Sequence, residues 1–116
     1  MLTFPKTKRL VRTLDFARVK AEGFTHRGGT LVLGVLAVAD ERAFRAGFVT
    51  SKRVGGAVVR NRVRRRLREI VRTHQHEVRT GIWIVLVARP SSAGATSRQL
   101  EHDWLRLAKR ASILAD

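Results

Sequence analysis

Apolar and polar positions follow two rhythms along this chain. From Val59 onward, Val59, Val63, Leu67, Ile70 and Val71 recur at three- and four-residue steps, the period of a helix that buries one stripe. The same period returns near the C-terminus in Leu100, Trp104, Leu107, Ala108 and Ala111, and predicts a last helix from Thr96 or Ser97 to about Ser112. Leu31 to Ala39 and Ile82 to Ala88 are instead unbroken apolar runs closed by Gly28-Gly29 and Arg89-Pro90, which predict largely buried strands. Arg45 to Ser51 predicts a further strand, paired with the first as a hairpin across the polar turn Asp40 to Ala43. Near the N-terminus, Thr13-Leu14-Asp15-Phe16 reads as a cap and first turn of a short helix ending at Gly23. The order helix, strands, helix, strand, helix predicts one α+β domain over residues 1–116, a small sheet with helices mainly on one face. Residues 1–12, basic and broken by Pro5, are expected to be a flexible N-terminal segment.

Charge changes the meaning of the central helix. Between Ser51 and Arg72 there are nine Lys or Arg residues and one acid, Glu69. On a helical wheel Asn61, Arg64, Arg65, Arg68 and Arg72 fall opposite the apolar stripe, and Arg62 and Arg66 lie along one border. Like charges three and four residues apart repel, so a merely soluble helix would mix signs. A polyanion would relieve this repulsion, and guanidinium offers forked donors suited to phosphate.

The whole chain points the same way. It has 116 residues, 24 Lys or Arg against nine acids, and a net charge of +15, with 44% apolar residues. It is therefore a folding domain whose field attracts anions. Nucleic acid is the first candidate partner and an anionic membrane surface the second. No apolar run approaches the ~20 residues of a spanning helix, and no membrane partner is expected. The N-terminal stretch has basic residues but neither an apolar core nor a small-residue cleavage site, and there is no cysteine, which suits the cytoplasm.

Residues that could carry catalysis do not assemble. His26, His74, His76 and His102 lack the spacing of a metal helix and read as solvated surface residues. The acids are scattered singly, so no paired carboxylates for acid–base or two-metal chemistry are expected, and no catalytic or metal-binding residue is assigned. Ser51-Lys52 at a strand end suits phosphate contact better than nucleophilic chemistry. Gly55-Gly56 suits either a phosphate-cradling helix start or simply a tight turn. Phe16 and Trp104 read as core residues on spacing, while Trp83 falls on the opposite side of its strand from Ile82 and Ile84.

The run Ser51-Lys52-Arg53-x-Gly55-x-Ala57-Val58-x-Arg60-Asn61-Arg62-x-x-Arg65-x-x-Arg68 closely resembles the RNR signature of the bacterial ribonuclease P protein subunit. Leu14-Asp15-Phe16 with Val19 and Gly23 is similar to that family's first helix. Arg45 to Thr50 is similar to its strand before the signature, and Val87 to Pro90 to the strand end before its last helix. The resemblance covers nearly the whole chain. It implies an αβββαβα order, a four-stranded type of sheet and a left-handed βαβ crossover. It also implies that Ser51, Lys52, Arg53, Arg60, Asn61, Arg62, Arg64, Arg65 and Arg68 meet the catalytic RNA. A cleft beside the first helix, with Phe16 and Lys20, would hold the single-stranded 5′ leader of precursor tRNA. The RNA, with Mg²⁺ bound mainly by itself, would hydrolyse the phosphodiester.

Three positions depart from the family pattern. Lys20 stands where a second aromatic is common, Gly34 where the central strand often carries one, and Arg66 where an aliphatic is usual. The first two weaken base stacking in the cleft and leave Phe16 as the stacking candidate. The rival expectation is a non-enzymatic structural RNA-binding protein, such as a ribosomal protein; a DNA-binding protein is third, without a helix-turn-helix, heptad or zinc pattern to support it.

Overall fold

The computed structural model describes residues 8–115, folded as helix α1 (Thr13–Glu22), strands β1 (Phe24–Arg27), β2 (Leu31–Ala37) and β3 (Phe44–Val49), helix α2 (Ala57–Thr73), strand β4 (Ile82–Ala88) and helix α3 (Ser97–Arg110). Single 3₁₀ turns at Gln75–Glu77 and Pro90–Gly94 follow α2 and β4. The expected helices and long strands are all present, within one or two residues at most ends. Thr13, however, does not cap α1. Arg12 occupies the cap position without a side-chain bond, and its Nε pairs with Asp15 instead. At α3 the reverse holds: Thr96 and Gln99 form a reciprocal capping box.

The sheet order is β1-β2-β4-β3. β1 and β2 form an antiparallel hairpin, β4 lies antiparallel to β2, and β3 runs parallel to β4. The expected β2–β3 hairpin is therefore absent. β4 takes the place between them, and α2 supplies the crossover that joins the parallel neighbours β3 and β4. Both middle strands are apolar on each face, so they need covering twice.

Period 2 sorts them into two cores. Leu31 and Leu33 of β2, Phe44 and Ala46 of β3, and Ile84, Leu86 and Ala88 of β4 join Val63, Leu67, Ile70 and Val71 of α2 and Leu100, Trp104, Leu107 and Ala108 of α3. On the other face, Leu36, Val38 and Val85 meet Leu10 and Val19, with Phe16, Val49, Trp83 and Val87 packed around them. Trp104 is fully buried in the first core, as its spacing predicts.

α1 lies in a trench made by missing side chains. Gly47, Val85 and Gly34 are register partners across β3, β4 and β2. A Cβ on Gly47 would lie 2.4 Å from Phe16 Cε1, and one on Gly34 would lie 3.2 Å from Val19 Cγ1. The two glycines thus let the helix approach the sheet through Phe16 and Val19. Residues 8–12 of the basic N-terminal segment are docked: Arg9 bridges Ala46 beside β3, Leu10 N–H donates to Ala46 O at 2.9 Å, and Leu10 is buried. The rest of that segment, including Pro5, lies outside the described residues.

Candidate nucleic-acid interface

α2 packs its valine, leucine and isoleucine stripe on the sheet, so its arginines are left to the flanks and the outer face. The helical wheel already sets Arg62 and Arg66 on one border; the fold shows what each flank of the helix meets. On the flank toward α3, Arg62 Nη2 donates to Ala93 O at 2.9 Å and Arg66 Nη1 to Ala95 O at 3.0 Å. These two guanidinium groups clamp the turn after β4. Arg66, the departure from the family pattern, therefore packs its stem on the helix border and uses its head on backbone carbonyls.

The flank toward β3 is different. Arg64 donates to the buried Thr50 Oγ1 at 2.6 Å and to Asn61 Oδ1 at 3.2 Å, which ties the helix to the end of β3. Beside it, the Nε atoms of Arg60 and Arg68 are buried with no hydrogen-bond partner among the described residues. The Arg68 guanidinium stands 6.0 Å from the Phe48 ring centre. Burial, and the positive charges of Arg9 and Arg64, hold its pKa below the ordinary arginine value. Arginine stays charged in such a setting, so the cluster has unmet demand for an anion. Arg9 belongs to this flank although it comes from the N-terminal segment; nothing in the period of α2 could have pointed to it.

The loop into α2 extends the same surface. Val54 is buried and pins the loop, while Val54 N–H donates to Ser51 O at 3.0 Å and Gly55 N–H to Lys52 O at 3.2 Å. Ser51, Lys52 and Arg53 are exposed around that turn, and Arg65 and Asn61 are exposed on the helix. Gly55 has φ +154°, and a Cβ there would press on Val59, so the turn itself requires this glycine. Gly56 occupies the N-cap with no side-chain bond and leaves the first N–H groups of α2 uncapped.

The other face of the sheet offers a shelf beside α1. Val49, Val87 and Val32 are register partners, one step along from the glycine trench. Phe16 is half-buried with its ring over Gly47, and Lys20 is exposed one turn later. The shelf is apolar but carries no ring, since Gly34 receives Val19 where an aromatic could have stood.

His74 departs from the expectation of a solvated histidine. Its side chain is 16% exposed, with Nδ1 at 2.6 Å from Glu77 Oε2 and Nε2 at 2.9 Å from Glu101 Oε2. Its ring lies 5.7 Å from that of Trp104. Burial opposes its charge, but hydrogen bonds to Glu101 and Glu77 prevail and raise its pKa. With a carboxylate on each nitrogen, the imidazolium joins the end of α2 to α3. Among the described residues, no three His, Asp or Glu side chains gather as metal ligands.

The comparisons with known proteins agree with this geometry. The model of the Ribonuclease P family matches residues 4–112. The ribonuclease P protein component of Beutenbergia cavernae is 44% identical over 99 residues, 85% of this chain and 83% of that protein. That of Chloroflexus aurantiacus is 44% identical over 107 residues, 91% of this chain and 78% of the relative. Among solved structures, the RNase P protein of Staphylococcus aureus superposes with a TM-score of 0.88 at 26% identity, covering 94% of this chain and 99% of that one. The Thermotoga maritima protein gives 0.79 at 25% identity, covering 88% and 96%. A basic helix on a four-stranded mixed sheet, the signature from Ser51 to Arg68 and similarities that span most of the chain lead to one conclusion: the chain belongs to the ribonuclease P protein family.

Proposed function

We propose that the β3-side flank of α2 and the loop before it bind the catalytic RNA of ribonuclease P, and that the shelf beside α1 receives the 5′ leader of precursor tRNA. The chain is an accessory subunit of this endoribonuclease, which acts in tRNA 5′ maturation. The carrying observation is the pair of buried, unpartnered Nε atoms on Arg60 and Arg68 within a cluster of guanidinium groups. Once these side chains turn outward, phosphate oxygens would supply the missing acceptors and offset the repulsion between the guanidinium groups. Arg65, Asn61, Lys52 and Arg53 extend the contact outward, while Arg62 and Arg66 hold the neighbouring turn.

On the shelf the valines offer apolar contact, with the half-buried Phe16 beside them, and Lys20 offers a cation to the leader backbone. Bases are then held with little discrimination. The family implies Mg²⁺. The described residues provide no clustered carboxylates to hold it, so we assign the ion to the RNA and give the protein the tasks of binding and orienting. The test is cleavage of precursor tRNA by ribonuclease P RNA at low Mg²⁺. Added protein should stimulate it, and Arg60→Ala with Arg68→Ala should reduce that stimulation. No stimulation by the parent protein would favour a purely structural RNA binder.

A further inference from the structure

On the flank of α1 away from the valine shelf, a groove of about 450 Å³ opens between the N-terminal segment, the loop after β2 and the start of β3. Its volume lies within the roughly 300–1,000 Å³ of small-ligand sites. Val11, Val38 and the Trp83 indole form its apolar walls, and Arg12 and Arg45 stand at its rim. Each of these arginines is held by its Nε. Glu41 Oε1 accepts from Arg45 Nε at 2.6 Å, and Asp15 Oδ2 accepts from Arg12 Nε at 3.3 Å. An arginine gripped in that way presents its two terminal nitrogens as a fork, the geometry that matches a phosphate.

Glu41 also fixes the aromatic wall, accepting the Trp83 indole N–H at 2.8 Å. The Arg18 guanidinium, 5.4 Å from the indole centre, holds the ring from α1. Glu41 is thereby used inside the protein, whereas Asp40 is exposed at the rim. One carboxylate thus remains to accept a hydrogen bond from a ligand.

Apolar walls, two guanidinium groups tethered at Nε and one exposed carboxylate match the parts of a nucleotide. We propose that this groove binds a nucleotide unit, with its phosphate on Arg12 and Arg45 and its base against Val11, Val38 and Trp83. Asp40 accepts from an exocyclic amine, so adenine, guanine and cytosine nucleotides bind more tightly than uridine. A free nucleotide and one residue of an RNA strand present the same chemistry. The groove adjoins the α2 flank through Arg9, which lines the groove and also stands beside Arg68, but the phosphate and base contacts proposed here use other residues.

The two tryptophans make the test direct. Trp104 is fully buried and Trp83 lines the groove, so a change in emission on ligand addition reports on the groove. The whole chain is titrated with AMP, GMP, CMP, UMP and inorganic phosphate. Saturable changes are expected with the first three, and at least severalfold weaker binding of UMP. Phosphate should compete for the site. Arg45→Lys, which keeps the charge but loses the fork, should weaken binding about tenfold. Arg98→Ala, on the outer side of α3, removes one charge elsewhere and should leave the affinity unchanged. If Arg45→Lys lowers the melting temperature, Arg12→Ala gives the same reading without disturbing Glu41. Short oligonucleotides that change the emission where mononucleotides fail, with the same weakening in Arg45→Lys, identify the occupant as a residue of an RNA strand. Absence of a saturable change with every ligand, or equal weakening by Arg98→Ala, overturns the assignment.

Discussion

Gly47→Ala tests how closely α1 is seated on the sheet. The added methyl carbon would lie 2.4 Å from Phe16 Cε1, 2.6 Å from Cζ and 3.2 Å from Leu10 Cβ. Carbon atoms pack at about 3.5–4.0 Å, so the ring must withdraw by roughly 1 Å or more. The helix cannot simply lift: Val19 sits against Gly34, and the Gly23 N–H donates to Val19 O where the chain turns into β1. Overpacking of this kind costs about 1–3 kcal/mol. Replacing a glycine also removes unfolded-state freedom, a gain of ~0.4–1 kcal/mol, which the overpacking outweighs over most of its range. The unfolding entropy for 116 residues is about 0.24 kcal/mol per degree, so a net loss of about 1–2 kcal/mol lowers the melting temperature by about 4–8 °C. Circular dichroism melts of Gly47→Ala, Phe16→Ala and the double variant measure the coupling. Once the ring is gone the methyl has room, so Gly47→Ala should cost far less in the Phe16→Ala background. An unchanged melting temperature, or the same cost in both backgrounds, refutes the trench as the seat of α1. The same displaced ring should weaken binding of leader-bearing precursor more than that of mature tRNA.

Other outcomes follow from the charged groups. Arg60→Ala with Arg68→Ala should flatten the salt dependence of RNA binding by ~0.7–0.9 in log–log slope for each phosphate left unneutralised, and more than Arg62→Ala does; equal slopes in all three proteins would make the cluster a solvated face. His74 has a raised folded pKa, so its stabilising contribution is complete below the ordinary value of 6.5 and is lost as pH rises through the folded value. The stability difference between parent and His74→Gln should shrink accordingly on the alkaline side, and a difference independent of pH would contradict the two-carboxylate clamp. Arg66→Ala should lower stability by about 1 kcal/mol by releasing the carbonyl of Ala95, measurable by chemical denaturation. Purified protein freed of RNA should leave precursor tRNA uncut, as followed on a denaturing gel.

The helices, the long strands and the basic character of α2 were legible in the sequence because each depends on local periodicity. Val63, Leu67, Ile70 and Val71 define one face whatever lies beneath it, and the residues opposite must then face outward. The signature from Ser51 to Arg68 is equally local, and it identified the family. Strand order was not legible from pattern alone. Leu31 to Ala37 and Ile82 to Ala88 are apolar on both faces, so nothing in them specifies which neighbour pairs with which, and proximity along the chain wrongly favoured β2 with β3. β1 is four residues long, mostly exposed and polar but for Phe24, and carries no period of its own; only the family resemblance implied it. The division of the arginines is tertiary as well. The wheel sets Arg62 and Arg66 on one border of α2, but only the fold shows that the turn after β4 gives them carbonyl acceptors, while Arg68 lies against Phe48 of β3 beside the charges of Arg9 and Arg64. Composition determined that this chain attracts polyanions. Only the packing of distant segments decided which guanidinium nitrogens find acceptors within the fold, because a hydrogen-bond acceptor close in space need not be close in sequence.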